Sequence, residues 1–169
     1  MKTVQQVLHA KSGPVLSVSP DATVYDALAL MARHDIGALV VLEGDRLCGM
    51  FSERDYARKV ILHGRSSRTM PVADIMTAEV VTVAPYRTVD ECMALMTDHR
   101  IRHLPVFDGA GVVGLVSIGD LVKAQLDEQR FVIDRDEEQL KKGAQGGRKM
   151  EKISLNDIFK EGVVTGVDM

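Results

Sequence analysis

The chain has 169 residues, of which 46% are hydrophobic and 27% charged, the balance of a folded domain. Its formal net charge of −3 argues against general binding to nucleic acid or anionic lipid, since both favour an excess of Lys and Arg. The N-terminal residues lack the apolar core of a signal peptide, no apolar run is long enough to span a membrane, and two cysteines in apolar settings make no disulfide framework. We therefore expect a cytoplasmic protein with reduced thiols and no membrane partner.

The chain contains an internal repeat. Residues 18–55 align without a gap with residues 83–120, and 15 of the 38 aligned pairs are identical, far more than unrelated segments share. A unit of this size buries too little surface to be stable alone. The two copies should therefore pack face to face.

Each repeat is predicted to fold as β-α-β-β-α. Thr23 and Ser52 are suited to cap helices, and Gly44 and Gly64 mark a hairpin turn and a helix end. In the first repeat we expect a strand over 15–18, a helix over 23–35, strands over 38–42 and 47–51, and a helix over 53–63. In the second repeat we expect the same elements over 80–83, 88–98, 104–107 and 112–116, and a helix that begins at 117.

Three segments are expected: a first domain over 1–68, a second over 69–126 and a C-terminal extension over 127–169. Each repeat also has a short lead-in, residues 4–8 in the first and 72–76 in the second, with similar apolar patterns. The extension is densely charged, is expected to continue the last helix, and should break at the Gly-rich residues 143–147. Its end is either a solvated tail or a docking segment that uses Leu155, Ile158 and Phe159.

The sequence carries no recognisable catalytic or metal-binding motif. The chain has no HExxH, GxSxG, P-loop or Rossmann glycine pattern, and its five histidines show no metal-ligand spacing. We expect no catalytic activity and no metal site.

A polar motif, G-x-x-S-x-x-D, occurs twice at a predicted strand-to-helix junction, over 49–55 and 114–120. A helix N-terminus and the hydroxyl of Ser52 or Ser117 would suit a phosphate. The carboxylate of Asp55 or Asp120 could accept from ribose hydroxyls. The same Ser–Asp spacing also caps helices, so the capping role remains open. Its recurrence at equivalent positions favours a nucleotide-like ligand.

The chain resembles a tandem pair of CBS domains, also called a Bateman module, over roughly residues 3–126. The resemblance rests on the repeat, on Ser19-Pro20 with Thr23-Val24, on the IRHLPV stretch 101–106 and on both motifs; residues 52–59 resemble small stand-alone bacterial members. It implies an α/β (α+β) fold of two pseudo-twofold-related β-α-β-β-α units packed sheet to sheet, usually as a homodimer. It also implies an adenosyl ligand in clefts between the units (AMP, ADP, ATP, NAD or S-adenosylmethionine, with AMP or NAD favoured). Such a module senses its ligand and regulates another protein.

By position in the family pattern, Asp55 and Asp120 would hold the two riboses, and Ser52 and Ser117 would meet phosphate. The remaining expected contacts lie at the first two strands of each repeat and would border or sandwich adenine: Ser17, Val18, Ile36, Gly37, Ala38, Thr82, Val83, Ile101, Arg102, His103 and Pro105. For Val18, Ile36, Val83 and Ile101, plain core packing is the alternative.

The two sites are expected to differ in charge. Arg54 lies in the first motif where the second has Gly119, and Arg102 lies in the second repeat where the first has Gly37. We expect Arg54 to give the first site a stronger preference for phosphate, unless it is simply solvated, and Arg102 to serve the second site. The main alternative function is a protein-docking adaptor that acts through its tail and has vestigial ligand sites. An enzyme acting on a nucleotide and a nucleic-acid binder are less favoured.

Overall fold

The computed structural model describes residues 1–144. The described residues divide into two units, Met1–Gln129 and a second that begins at Arg130. The helices are α1 (Val4–Lys11), α2 (Val24–His34), α3 (Glu53–Lys59), α4 (Val89–His99) and α5 (Ile118–Ala144), with 3-10 turns at Ile61–His63 and Val72–Asp74. The strands are β1 (Ser17–Val18), β2 (Ala38–Glu43), β3 (Arg46–Ser52), β4 (His103–Phe107) and β5 (Val112–Ser117). This mixture of helices and small sheets in two related repeats confirms the predicted fold class.

The two sheets differ by one strand. In the first repeat β1 runs parallel to β2, which pairs antiparallel with β3. In the second repeat β4 pairs with β5, and the strand expected over 80–83 is reduced to a single bridge between Val83 and Val106. Pro105 occupies the position of Val40 and has no N–H for a second ladder bond, which explains the loss.

The helices begin where the sequence predicted. Thr23, Ser52 and Thr88 are N-caps whose hydroxyls accept a backbone N–H from the first turn. The second helix of the first repeat is shorter than the expected 53–63, because α3 ends at Lys59 and Val60 turns its side chain into the hydrophobic core with 1% exposure. A 3-10 turn then leads to Gly64, whose φ of 63° ends the segment.

Each lead-in packs on the other repeat. At the N-terminus, the backbone N–H of Val4 donates to the carbonyl of Arg87 (2.8 Å), and the N–H of Val89 donates to the carbonyl of Lys2 (3.0 Å). The second lead-in packs on the first repeat in the same way, since the N–H of Val72 donates to the carbonyl of Ala22 (2.8 Å). The two halves of the chain are therefore interlocked.

The lead-ins are exchanged between the repeats, and each hydrophobic core contains the lead-in of the other repeat. One cluster contains Val4 and Val7 of the first lead-in among residues of the second repeat. The other contains Val72 and Ile75 of the second lead-in among residues of the first repeat. Burial of Cys92 in the former cluster raises the pKa of its thiol to about 11, which keeps it protonated at neutral pH.

The expected extension of the last helix is present, since α5 continues to Ala144. Gly143 is still helical, so the predicted break does not begin there, and residues 145–147 lie outside the described residues. Leu155, Ile158 and Phe159 also lie outside them. Among residues 1–144, no helix combines the length and apolar character needed to cross a membrane.

Candidate ligand-binding clefts

Two clefts lie at the junction of the two repeats. The first has a volume of about 520 Å³. One wall comes from the first motif and α3, and the other from the turn between α4 and β4 in the second repeat. The expected site residues that line only this cleft are Ser52, Arg54, Asp55, Ile101 and Arg102.

The second cleft has a volume of about 400 Å³. Its walls are the second motif, the end of α1 with the loop that follows it, and residues 35–38 of the first repeat. The expected residues that line only this cleft are Ile36, Ser117 and Asp120. Each cleft therefore combines the Ser–Asp motif of one repeat with the strand start of the other.

The clefts share a wall made of Gly37, Ala38 and His103. A Cβ added at Gly37 would lie 3.7 Å from the His103 ring, so a side chain at this position would contact His103. Burial and the nearby charge of Lys11 lower the pKa of His103, with Asp120 opposing them, so the imidazole is neutral at pH 7.

In the first cleft, Asp55 is held by four donors. Its Oδ2 accepts from the Ser52 N–H (3.0 Å) and hydroxyl (2.9 Å). Its Oδ1 accepts from the Thr77 hydroxyl (3.2 Å) and from Lys59 Nζ (2.8 Å). The carboxylate is 12% exposed, so it is both buried and fully bonded. A ribose would have to displace Thr77 or Lys59 to reach it.

In the second cleft, Asp120 has fewer partners. Its Oδ2 accepts from the Ser117 N–H (2.8 Å) and from Lys11 Nζ (2.8 Å), and its Oδ1 accepts from no residue that the structure describes. Burial alone would raise the pKa of Asp120, but the bonds from Lys11 and Ser117 outweigh it and place that pKa below its usual value. The carboxylate is thus ionised with one oxygen available to a donor.

Both motifs also cap helices. Ser52 and Asp55 form a capping box at α3, and the Asp120 N–H donates to Ser117 Oγ (3.2 Å) at the start of α5. The capping role that the sequence left open is therefore present in both repeats. It does not remove the side chains from the clefts, because both Ser–Asp pairs still line them.

The motif glycines serve packing. A Cβ at Gly49 would lie 2.7 Å from Met76 Sδ and 2.9 Å from the Thr77 carbonyl oxygen, and a Cβ at Gly114 would overlap the Leu8 side chain. In each repeat, the glycine lets the lead-in from the other repeat cross the strand at close range.

Five expected residues lie away from both clefts: Ser17, Val18, Thr82, Val83 and Pro105. The residues just before Ser17 and Thr82 line the clefts instead: Val80 and Val81 line the first cleft, and Val15 and Leu16 line the second. Val83 is 4% exposed in the core and Pro105 is buried in β4, so these two side chains face inward.

Arg102 lines the first cleft and not the second, where it was expected. The sequence interpretation assigned its charge to the second site, but it lines the first cleft together with Arg54, because each strand start faces the motif of the opposite repeat. Lys11 and Thr77 were not predicted from the sequence, because they reach the clefts only through the exchanged lead-ins. Arg58 was missed as well, although it lies four residues after Arg54 on α3, a spacing that puts both on one helix face.

Comparison with known proteins establishes the family. The model of the CBS domain family matches the chain twice, at residues 5–61 and 72–127. The chain belongs to the CBS domain family. It therefore carries a CBS pair, and the resemblance seen in the sequence is confirmed.

Two curated relatives are themselves CBS-domain proteins. The CBS domain-containing protein CBSX3, mitochondrial, of Arabidopsis thaliana is 46% identical over 142 residues, covering 79% of this chain and 69% of the relative. The CBS domain-containing protein YhcV of Bacillus subtilis is 37% identical over 115 residues, covering 68% and 81%. Neither has an enzymatic name.

Solved structures share the CBS-pair fold. A protein with CBS domains from Burkholderia ambifaria has a TM-score of 0.73 and 53% identity, with 76% of this chain and 96% of that chain covered. PAE2072 from Pyrobaculum aerophilum, solved with AMP, has a TM-score of 0.64 and 24% identity, with 70% and 89% covered. The CBS pair of MJ0100, solved with 5′-methylthioadenosine and S-adenosylmethionine, has a TM-score of 0.66 and 23% identity, with 76% and 98% covered. At these identities the last two show the shared fold alone.

Proposed function

We propose that this CBS pair is a non-catalytic regulatory module that binds an adenosyl ligand in the clefts between its repeats. The observation that supports the proposal is the construction of the clefts, each of which joins the Ser–Asp motif of one repeat to the strand start of the other. A ligand in either cleft would contact both repeats at once.

The chemistry of the clefts supports an adenosyl compound. Volumes of about 520 and 400 Å³ fall in the range of small-molecule sites. Asp120 offers an acceptor to ribose hydroxyls, Ile36 and Ile101 offer apolar surface to a base, and Arg54 with Arg102 offers donors to phosphate. AMP, ADP, ATP, NAD and S-adenosylmethionine are the compounds to test, and adenosyl compounds are bound in two proteins of the same fold.

The proposed mechanism is a population shift. A ligand that contacts both repeats favours the arrangement of the repeats in which both contacts are made. Coupling of this kind typically amounts to about 1 to 3 kcal/mol, which is enough to strengthen or weaken a regulated association. The proposal includes a homodimer as the acting species, which analytical ultracentrifugation with and without ligand would test.

Thermal unfolding with the ligand panel, followed by calorimetric titration, tests the proposal. A ligand near a hundred times its Kd adds about 2.7 kcal/mol to the free energy of unfolding. Gly37→Leu is the blocking variant, because its side chain would enter the wall shared by the clefts, and Gly111→Leu is the control, since a Cβ at Gly111 meets nothing within 4 Å. We expect the ligand to raise the Tm of wild type and of Gly111→Leu but not that of Gly37→Leu. Absence of a shift with every compound at millimolar concentration would contradict the proposal.

The non-catalytic part of the proposal has its own test. Chromatography of the same ATP and NAD mixtures after incubation should show no product, and product formation that depends on the protein would contradict it. A cytoplasmic location is also part of the proposal, and fractionation of the source cells would test it, since one relative is named as mitochondrial.

A second candidate, the docking adaptor, has one supporting observation within the described residues. The later part of α5 exposes large apolar side chains, with Phe131 61%, Ile133 57% and Leu140 73% exposed. The adaptor function predicts that a partner protein binds equally well to wild type and to Gly37→Leu. The proposed ligand-sensing function predicts that ligand changes partner binding by wild type only.

A further inference from the structure

The first cleft carries an excess of positive charge. It is lined by four arginines, Arg54, Arg58, Arg100 and Arg102, and by Lys59. Its acidic residues are Glu53, Asp55 and Glu79, so its formal charge is +2 with histidine neutral. Ligand phosphates entering this cleft would meet net attraction.

Most of the basic side chains in this cleft form no ion pair with another described residue. Lys59 pairs with Asp55 at 2.8 Å. Among residues 1–144, Arg54, Arg58 and Arg102 have no carboxylate within 4.0 Å. Arg54 donates one guanidinium N–H to the Arg100 carbonyl (2.8 Å), which holds it across the mouth between the repeats and leaves its other donors available. Three arginines from two repeats therefore line one cleft without an ion pair to residues 1–144, a composition suited to a chain of phosphates.

The second cleft has the opposite balance. Lys11 is its one Lys or Arg among the described residues, and it is already bonded to Asp120 (2.8 Å) and to the Leu115 carbonyl (3.1 Å). Asp35 adds a further negative charge, which gives the cleft a formal charge of −1. The available Asp120 Oδ1 accepts from hydroxyls and repels phosphate.

We propose that the two clefts divide adenosyl ligands by charge: the first takes a compound with a polyphosphate chain, such as ATP or ADP, and the second takes an adenosyl compound without phosphate. This inference rests on the proposed function, because it assigns a ligand class to each cleft. Gly37 and His103 line both clefts and lie between them, so the proposal includes binding of both ligands at the same time.

Calorimetric titration of the full chain with ATP and with 5′-methylthioadenosine tests this division. In Arg58→Gln/Arg102→Gln, we expect ATP affinity to fall about tenfold or more, because two charge-assisted phosphate contacts are lost. Methylthioadenosine affinity should be unchanged. Arg33→Gln is the matched control, since Arg33 is an exposed arginine that lines neither cleft, and it should leave both affinities unchanged.

The reverse variant is Asp120→Asn, which should weaken methylthioadenosine binding and leave ATP binding intact. A test on wild type needs no variant: raising the salt concentration should weaken ATP binding steeply and methylthioadenosine binding little. ATP at saturation should not displace methylthioadenosine.

The outcomes separate the two proposals. If neither compound nor any other adenosyl ligand binds, the proposed function fails and the division of ligands fails with it. If both compounds bind but compete, or if the double arginine variant weakens both equally, the division by charge is overturned while the proposed function stands.

Discussion

Replacement of Gly49 by alanine tests the interlocked lead-ins. The new Cβ would lie 2.7 Å from Met76 Sδ and 2.9 Å from the Thr77 carbonyl oxygen. The sulfur belongs to a flexible side chain and can move. The carbonyl cannot move freely, because it accepts from the Met50 N–H at 2.9 Å, and the Thr77 N–H donates back to the Met50 carbonyl at 2.8 Å. The second lead-in must therefore shift away from β3 as a unit.

Overpacking of this kind costs about 1 to 3 kcal/mol. A central value of about 2 kcal/mol corresponds to a fall in Tm of roughly 4 to 8 °C for a chain of this size. Urea unfolding followed by circular dichroism measures the loss. Gly111→Ala is the matched control, since its Cβ would meet open space, and it should stay within about 0.5 kcal/mol of wild type.

Gly114→Ala adds a second comparison from the other repeat. The three atoms nearest its Cβ all belong to the Leu8 side chain, so truncation in Leu8→Ala should reduce the cost of the glycine substitution. The same truncation should leave the cost of Gly49→Ala unchanged. If Gly49→Ala were as stable as Gly111→Ala, the close crossing of the lead-in over β3 would be refuted.

Three further variants test the core, the first motif and the shared wall. Val4→Ala should lower the free energy of unfolding by about 2 kcal/mol, because Val4 is fully buried against the second repeat. The control Val122→Ala, at a 40%-exposed position, should change that free energy little. Equal losses for the two variants in urea unfolding would contradict the packing of the first lead-in on the second repeat. Asp55→Ala should cost about 2 kcal/mol without any ligand, because Thr77 and other donors lose their acceptor, and a wild-type Tm would contradict this. Because burial lowers the pKa of His103, the unfolded chain binds that proton more tightly, so stability should fall as the pH drops below about 6.5. His103→Gln should remove this part of the pH dependence, and a pH profile identical to that of wild type would contradict it.

Much of the fold could be predicted from the sequence because its signals are local. The gapless repeat defined two equivalent units, and Thr23, Ser52 and Thr88 begin their helices as capping chemistry requires. The hairpins follow from apolar runs on either side of a glycine turn. Even the missing strand has a local cause, since Pro105 removes a ladder donor.

The exchange of the lead-ins was not predictable in the same way. The apolar pattern of Val4, Val7 and Leu8 shows that one face is buried, but not which repeat covers it. The composition of the clefts depends on this exchange. Lys11 reaches Asp120 only because α1 lies on the second repeat, and Thr77 reaches Asp55 only because the second lead-in lies on the first.

The expected position of Arg102 in the second site was wrong for the same reason, the contact of each motif with the opposite repeat. In sequence, a residue of the second repeat was naturally grouped with the second motif. In the fold, each motif faces the strand start of the opposite repeat, so Arg102 joins Arg54 in one cleft. The charge difference between the sites is therefore larger than the sequence interpretation expected.

The most direct test of the central claim is a titration of ¹⁵N-labelled protein with ATP, followed by amide chemical shifts. Binding in the first cleft predicts shifts for Gly37, Arg54, Thr77 and Arg102, residues of both repeats that line one cavity. Amides near Phe131 and Leu140 should not respond directly. Shifts confined to that later part of α5, or no shifts at millimolar ATP or any other adenosyl compound, would contradict ligand binding between the repeats and favour the docking adaptor.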